Sequence, residues 1–159
     1  MMVEPLSVRV MRNISQATEL YYRLVILVGI AGSGKTTVLK DVHERTSAPL
    51  INVNLELSRQ MLDLTERQRA LQLPRLLSES VDMFTDDVIL LDNIEVLFDV
   101  SVKQDPLRLL QGISRRKTIV AAWSGTINND HIVYAIQGHP EYRRYPLRDF
   151  LIVSPDPIV

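Results

Sequence analysis

The chain has 159 residues, enough for one domain that buries roughly 70% of its extended-chain surface. With 18 basic and 19 acidic residues, its overall charge gives no strong general attraction to nucleic acid. It contains no cysteine, which excludes disulfide frameworks, zinc–thiolate sites and thiol catalysis together.

The opening Met1-Met2-Val3-Glu4-Pro5 has no signal-peptide pattern, and the longest apolar run falls far short of the ~20 residues that span a bilayer. An N-terminal segment, residues 1–23, carries a helical pattern at 11–22. Leu24-Val25-Ile26-Leu27-Val28 then reads as a buried parallel strand, being apolar throughout and mostly β-branched.

Directly after it, Gly29-Ile30-Ala31-Gly32-Ser33-Gly34-Lys35-Thr36 completes the G-x-x-x-x-G-K-[ST] phosphate-binding pattern, or Walker A motif. Composition alone produces that pattern in roughly 0.5% of random chains this long. Here the strand, the loop and a helix also come in the required order. The loop's N–H groups form a nest around the α- and β-phosphates, and glycines permit the close approach. Lys35 is expected to reach the β- and γ-phosphates, and the Thr36 hydroxyl to ligate Mg²⁺. Expected nucleotide contacts are therefore Gly29, Ala31, Gly32, Ser33, Gly34, Lys35, Thr36 and Thr37. The absence of an Asn-Lys-x-Asp guanine-reading motif favours ATP.

The helix after the loop is expected to reach about Arg45 and to stop before Pro49. Residues 50–54 form a short second strand, and the leucine- and arginine-rich stretch 57–84 reads as two helices divided at Pro74. Val88-Ile89-Leu90-Leu91-Asp92 is a third apolar strand ending in a carboxylate, a Walker B pattern that makes Asp92 the second expected Mg²⁺ ligand. A helix at 105–115, a strand at 118–123, a helix at 129–137, a final strand at 150–153 and a tail at 154–159 complete the chain. This alternation predicts an α/β fold of three layers, a five-stranded parallel sheet covered on both faces. Ligands of such sheets gather beyond the carboxyl ends of the strands, which brings Asp92 and the phosphate loop to one crevice.

The strand at 50–54 intervenes in sequence between the loop strand and the Asp92 strand, which resembles the additional-strand ATPases, including the AAA+ group, whose loop strand and Walker B strand are separated in the sheet by a further strand. Arg115-Arg116 is followed at once by a strand, leaving no room for the lid of a small-molecule kinase. Asp92-Asn93-Ile94-Glu95-Val96-Leu97-Phe98 resembles the AAA+ continuation D-E-I-D-A-L-F, with one departure. Asn93 stands where that family has the glutamate that polarises the attacking water. An amide orients water but cannot accept its proton, so slow hydrolysis is expected unless Glu95 or Glu56 substitutes. The same resemblance implies a γ-phosphate sensor among Ser124, Thr126 and Asn128. It also implies an arginine finger, Arg143 or Arg144, which would complete a neighbour's site and require an oligomer. Each has a plainer reading as a turn or solvated-loop residue. Arg59, Arg67, Arg69 and Arg75, interspersed with Asp63, Glu66 and Glu79, read as a solvated helix face rather than a nucleic-acid surface. His43, His131 and His139 lack metal-ligand spacing, and Trp123 is expected to pack beside the sheet.

Taken whole, the chain resembles the BrxF family, small P-loop proteins of type 3 BREX phage-defence systems in bacteria and archaea. The resemblance rests on the loop, on Leu90-Leu91-Asp92-Asn93-Ile94-Glu95, on Ala121-Ala122-Trp123-Ser124-Gly125, and on Tyr145-Pro146-Leu147-Arg148-Asp149-Phe150. It implies cytoplasmic work beside other BREX proteins, with ATP and Mg²⁺ as cofactors, self-assembly driven by ATP, possible contact with DNA, and no membrane. An AAA+-like core without the helical C-terminal lid is the expected architecture. The alternatives to a slow ATPase are a non-hydrolysing nucleotide switch and a DNA-associated adaptor that recruits defence components.

Overall fold

A computed structural model describes residues 4–135 and 138–155. Residues 1–3 of the N-terminal segment, 136–137 of the expected helix and 156–159 of the tail lie outside the described residues. In chain order the elements are α1 (Leu6–Ala17), β1 (Leu24–Gly29), α2 (Lys35–Thr46), β2 (Leu50–Asn52), α3 (Val53–Gln60), α4 (Glu66–Asp82) and β3 (Val88–Asp92). Two short 3₁₀ turns, Ile94–Phe98 and Val100–Val102, lead to α5 (Pro106–Ile113), β4 (Thr118–Asn128), β5 (His131–Tyr134), β6 (Arg143–Pro146) and β7 (Leu151–Val153).

Five strands pair in parallel in the order β2-β3-β4-β1-β7. β4 therefore separates the loop strand β1 from the Asp92 strand β3, as the additional-strand resemblance implies. Alternate residues of a strand point to opposite faces, and the two apolar clusters divide on that parity. Leu24, Ile26, Val28, Ile89, Leu91, Ile119 and Trp123 pack with Leu57, Leu73, Leu77, Phe98 and Leu110 from α3, α4, the first 3₁₀ turn and α5. Val25, Leu27, Leu90 and Val120 pack with Val10 and Ala17 of α1 and Leu39 and Val42 of α2. Both faces are covered, so β1 is buried along its whole length, which is why its sequence is continuously apolar rather than alternating.

The structure corrects several expectations, the first helix lying at Leu6–Ala17 rather than 11–22. No helix forms over 129–135: β4 continues to Asn128, turns at Asn129 and Asp130, and pairs antiparallel with β5, which pairs in turn with β6. Asn129 and Asp130 both have positive φ, 50° and 60°, the requirement of a two-residue type I′ hairpin whose twist matches that of the strands. Arg143 and Arg144 consequently lie in β6 rather than in a loop after a helix, and Ser124, Thr126 and Asn128 lie within β4 rather than after it.

Pro74 does not divide two helices but sits inside α4. That helix begins at a capping box in which Thr65 Oγ1 accepts from Gln68 N–H and Gln68 Oε1 accepts from Thr65 N–H. Proline removes the N–H that Ala70 O would receive. Gln104 Nε2 supplies a substitute, donating to Ala70 O at 2.7 Å. The second strand is also shorter than 50–54, because the Asn52 side chain accepts from Leu55 N–H and starts α3 at once.

Trp123 is fully buried beside the sheet, edge-on to Phe98 with ring centroids 5.0 Å apart. Tyr134 stacks on the same Phe98 at 3.6 Å, and Tyr145 donates its hydroxyl to Asp105 Oδ1 at 2.8 Å. These contacts pin the β5–β6 hairpin over the first 3₁₀ turn and the start of α5.

Candidate nucleotide site

The loop from Gly29 to Gly34 joins the buried end of β1 to the first turn of α2, and its backbone is shaped by three glycines with different duties. Gly32 and Gly34 take positive φ, 78° and 94°, which ordinary residues adopt only with strain. At Gly29 a Cβ would lie 2.4 Å from Ser33 Oγ, so that hydroxyl would have to turn away. Gly34 caps α2 without a side-chain acceptor, and the first turn carries no acid. The first amides of α2 and the positive end of its dipole thus face the loop with no carboxylate competing for them, the arrangement that binds phosphate.

The side chains around the loop come from β3, β4 and the first turn of α2. Asp92, at the carboxyl end of β3, is nearly buried and accepts from Thr36 Oγ1 at 2.6 Å and from Asn93 N–H at 2.9 Å. Ser124 sits opposite Gly29 in the β1–β4 register, and its hydroxyl donates to Glu95 Oε1 at 3.1 Å. Lys35 Nζ donates to the loop carbonyls of Gly29 and Ile30 at 3.0 and 2.8 Å. Partial burial lowers the Lys35 pKa from its ordinary value, while the charges of Glu95 and, more weakly, Asp92 oppose that shift.

Ala31, Gly32, Gly34, Lys35, Thr36, Asp92, Asn93, Glu95, Ala122 and Ser124 line one cavity of about 380 Å³, within the range of small-molecule sites. The donor set suits Mg²⁺, which takes one or two protein oxygens and completes its shell with phosphate and water. Thr36 and Asp92 offer a hydroxyl and a carboxylate already within hydrogen-bond distance of each other. Of the expected contacts, Gly29, Ser33 and Thr37 do not line this cavity. Gly29 and Ser33 pack on one another at its edge, and Thr37 is exposed on the first turn of α2.

The other expected residues are placed differently. Thr126 borders a second cavity of about 480 Å³, which shares Ala31 and Ser124 with the first and is otherwise lined by Ile30, Tyr134 and His139 among others. Neither Arg143 nor Arg144 lines the first cavity: Arg143 Nη1 donates to Tyr142 O, and Arg144 is exposed. Glu56 is paired with Arg59 at 2.8 Å and accepts from Gln60, away from the first cavity. Arg75 pairs with Glu79, and Arg69 donates to Leu64 O, so those arginines are engaged within their own helical region. Among the described residues no group of three or more His, Asp or Glu side chains gathers as a metal site, and no helix is long and apolar enough to cross a membrane. Gly125, which the sequence offered only as part of a resembling segment, has a steric role: a Cβ there would lie 1.8 Å from Val133 O. The signal was available as a glycine two residues after the apolar run 118–123.

Comparison with known proteins places this geometry in a family. No curated protein matches the chain significantly. Seven solved chains are similar to it. One, titled "Structure of C. elegans PCH-2", shares 19% identity at a TM-score of 0.41, over 78% of this chain and 36% of that one. The present chain thus spans about a third of that protein's length. The profile of the family described as "ATPase family associated with various cellular activities (AAA)" matches residues 25–129, more than half of the chain, from β1 through the β4–β5 turn. The chain belongs to the AAA family of ATPases.

Proposed function

We propose that the protein is a Mg²⁺- and ATP-binding AAA ATPase that hydrolyses slowly, associates with itself when ATP is bound, and serves a type 3 BREX phage-defence system in the cytoplasm. The observation that carries ATP binding is one cavity that brings together the Walker A loop, Lys35 and the Thr36–Asp92 pair. Loop and helix amides would surround the phosphates, and Lys35 would exchange its loop carbonyls for phosphate oxygens, a stronger charge-assisted bond. Thr36 and Asp92 would hold Mg²⁺, which neutralises charge on the β- and γ-phosphates. Oligomerisation is common in the AAA family, and the exposure of Arg144 on β6 supports a contact with a neighbouring copy. The BREX assignment rests on the segmental resemblance around Asp92, Trp123 and Tyr145.

Calorimetry with Mg-ATP tests the core of this reading, paired with size analysis with and without ATP. Heat of binding in the wild type, its loss in Lys35→Ala, and a larger species only with ATP are expected. A folded wild type that binds no ATP overturns it.

One observation favours a second reading, a nucleotide switch that does not hydrolyse. Asn93 borders the cavity and has no carboxylate to take a proton from water. Phosphate release in a single turnover at high protein concentration separates the two.

A further inference from the structure

Asn93 has a backbone duty that accounts for its identity without reference to water. It adopts φ 53° and ψ 56°, the left-handed region, which costs most L-residues about 1–2 kcal/mol but is visited readily by asparagine. Its N–H donates to Asp92 Oδ1, and its carbonyl accepts from Asn54 N–H at 2.9 Å. This one residue bends the chain sharply out of β3 into the turn Ile94–Phe98. Ile94, Leu97 and Phe98 are fully buried in the core, which fixes the turn's rotation. Glu95, between them, is thereby directed into the nucleotide cavity. The carboxylate that the Asp92-adjacent position lacks is present two residues later, on the same cavity wall.

Glu95 is half-buried. One of its oxygens accepts from Ser124 Oγ at 3.1 Å, and the other accepts no hydrogen bond among the described residues. Its charge acts on the Lys35 ammonium more strongly than that of Asp92 does. Asp92 is committed to Thr36 and to the Asn93 amide, which suits a metal ligand and leaves it poorly disposed to accept a proton.

Building on the ATPase reading above, we propose that Glu95 is the proton acceptor for the attacking water and that Ser124 is its positioning residue. The water oxygen attacks the γ-phosphorus while its proton passes to the Glu95 carboxylate. The bond from the γ-phosphorus to the β–γ bridging oxygen breaks, and its electron pair leaves with ADP. Glu95 then returns the proton to solvent, giving ADP and inorganic phosphate. Ser124, donating from within β4, holds one carboxylate oxygen so that the other faces the water.

Single-turnover phosphate release from Mg-ATP, together with calorimetric ATP affinity, tests this on the full chain. Glu95→Gln keeps the side-chain shape and an acceptor for Ser124. It is expected to slow release at least ~100-fold while ATP affinity stays within about threefold, the signature of a lost base. Ser124→Ala is expected to lower the turnover rate about tenfold at unchanged affinity, and to have no further effect in the Glu95→Gln background. Glu95→Gln turning over at the wild-type rate overturns the inference. So does a wild type that binds Mg-ATP and releases no phosphate, an outcome that leaves the nucleotide-binding reading standing. Additive losses in the double variant overturn the positioning role of Ser124. A wild type that binds no ATP removes the ATPase reading itself.

Discussion

Thr36 Oγ1 and Asp92 Oδ2 are joined by a 2.6 Å hydrogen bond although 56 positions separate them in the chain. The contact links the first turn of α2 to the end of β3, and it brings together the two oxygen groups expected to share one cation. A divalent ion would replace the hydroxyl proton as the partner of the carboxylate. Removing the ion from the wild type with a chelator should weaken ATP binding about tenfold or more, since the metal ties phosphate oxygens to these groups. In Asp92→Asn, calorimetry with and without Mg²⁺ should show that advantage cut to about twofold. An undiminished Mg²⁺ effect in that variant would place the cation elsewhere.

Lys35 brings a positive charge to the same cavity. Replacing it with alanine removes a charge-assisted contact to phosphate worth about 1.5–3 kcal/mol, or roughly 10–150-fold in affinity. The fold should tolerate the change, because Lys35 is partly exposed and bonds only two loop carbonyls. An unchanged urea midpoint with a weakened or undetectable heat of ATP binding is the expected pair of results.

The parallel core and its site were legible from the sequence because each part has a local signature. Residues 24–28 and 88–91 are apolar on both faces, and the loop's glycines and Lys35-Thr36 follow at fixed spacing. The elements that were misread lack such signatures or rely on distant partners. Asn129-Asp130 makes a hairpin turn, yet without glycine as its second residue it also resembles a helix start. The orientation of Glu95 depends on the left-handed backbone of Asn93 and on the burial of Ile94, Leu97 and Phe98, none of which spacing reveals. Pro74 inside α4 depends on Gln104, 30 positions further along.

That last dependence has an energetic consequence. Gln104→Ala leaves the Ala70 carbonyl, part-buried within α4, without its donor and should cost about 1–2 kcal/mol in urea unfolding. Pro74→Ala restores a backbone N–H that can reach Ala70 O. In the Pro74→Ala background the Gln104 change should therefore cost much less, and the double-mutant cycle should report positive coupling. Equal costs in both backgrounds would detach Gln104 from the proline.

Tyr145 ties β6 to the start of α5 through its hydrogen bond to Asp105, and this bond predicts a pH response. Burial, with the Asp105 carboxylate as its acceptor, raises the Tyr145 pKa well above the ordinary tyrosine value. Burial, with Glu95 and Glu141, pushes Tyr134 up to about 12. A hydroxyl whose folded pKa exceeds its unfolded value gives its full stabilisation below the unfolded pKa of about 10. That stabilisation is lost as pH rises toward the folded value. Urea midpoints should hold steady from neutral pH to about 9 and fall above 10. Tyr145→Phe should be weaker by about 1 kcal/mol at pH 7 and show a shallower alkaline fall.

Gly125 is where β4 leaves the parallel sheet for the hairpin, and space is its reason for being glycine. A Cβ there would lie 1.8 Å from Val133 O and 2.9 Å from Trp123 Nε1, two atoms already hydrogen-bonded to each other at 3.2 Å. Because the obstructing atom is backbone, relief requires β5 to move away and the indole N–H to lose its acceptor. Gly125→Ala should therefore cost about 2–4 kcal/mol, in the range of overpacking plus a broken buried hydrogen bond. Trp123 is the single tryptophan of the chain, so its emission reports the site directly. A native-state shift in that emission should accompany the lower urea midpoint. Displacing β5 also disturbs Ser124, the adjacent residue, so phosphate release should fall even where the protein remains folded. Gly112→Ala is the matched control: it lies in α5, and a Cβ there meets nothing within 4 Å. Alanine in a helix is favoured over glycine by about 0.5–1 kcal/mol, so the same substitution should raise the midpoint there. If both alanines shifted stability in the same direction, close approach would not be what selects glycine at position 125.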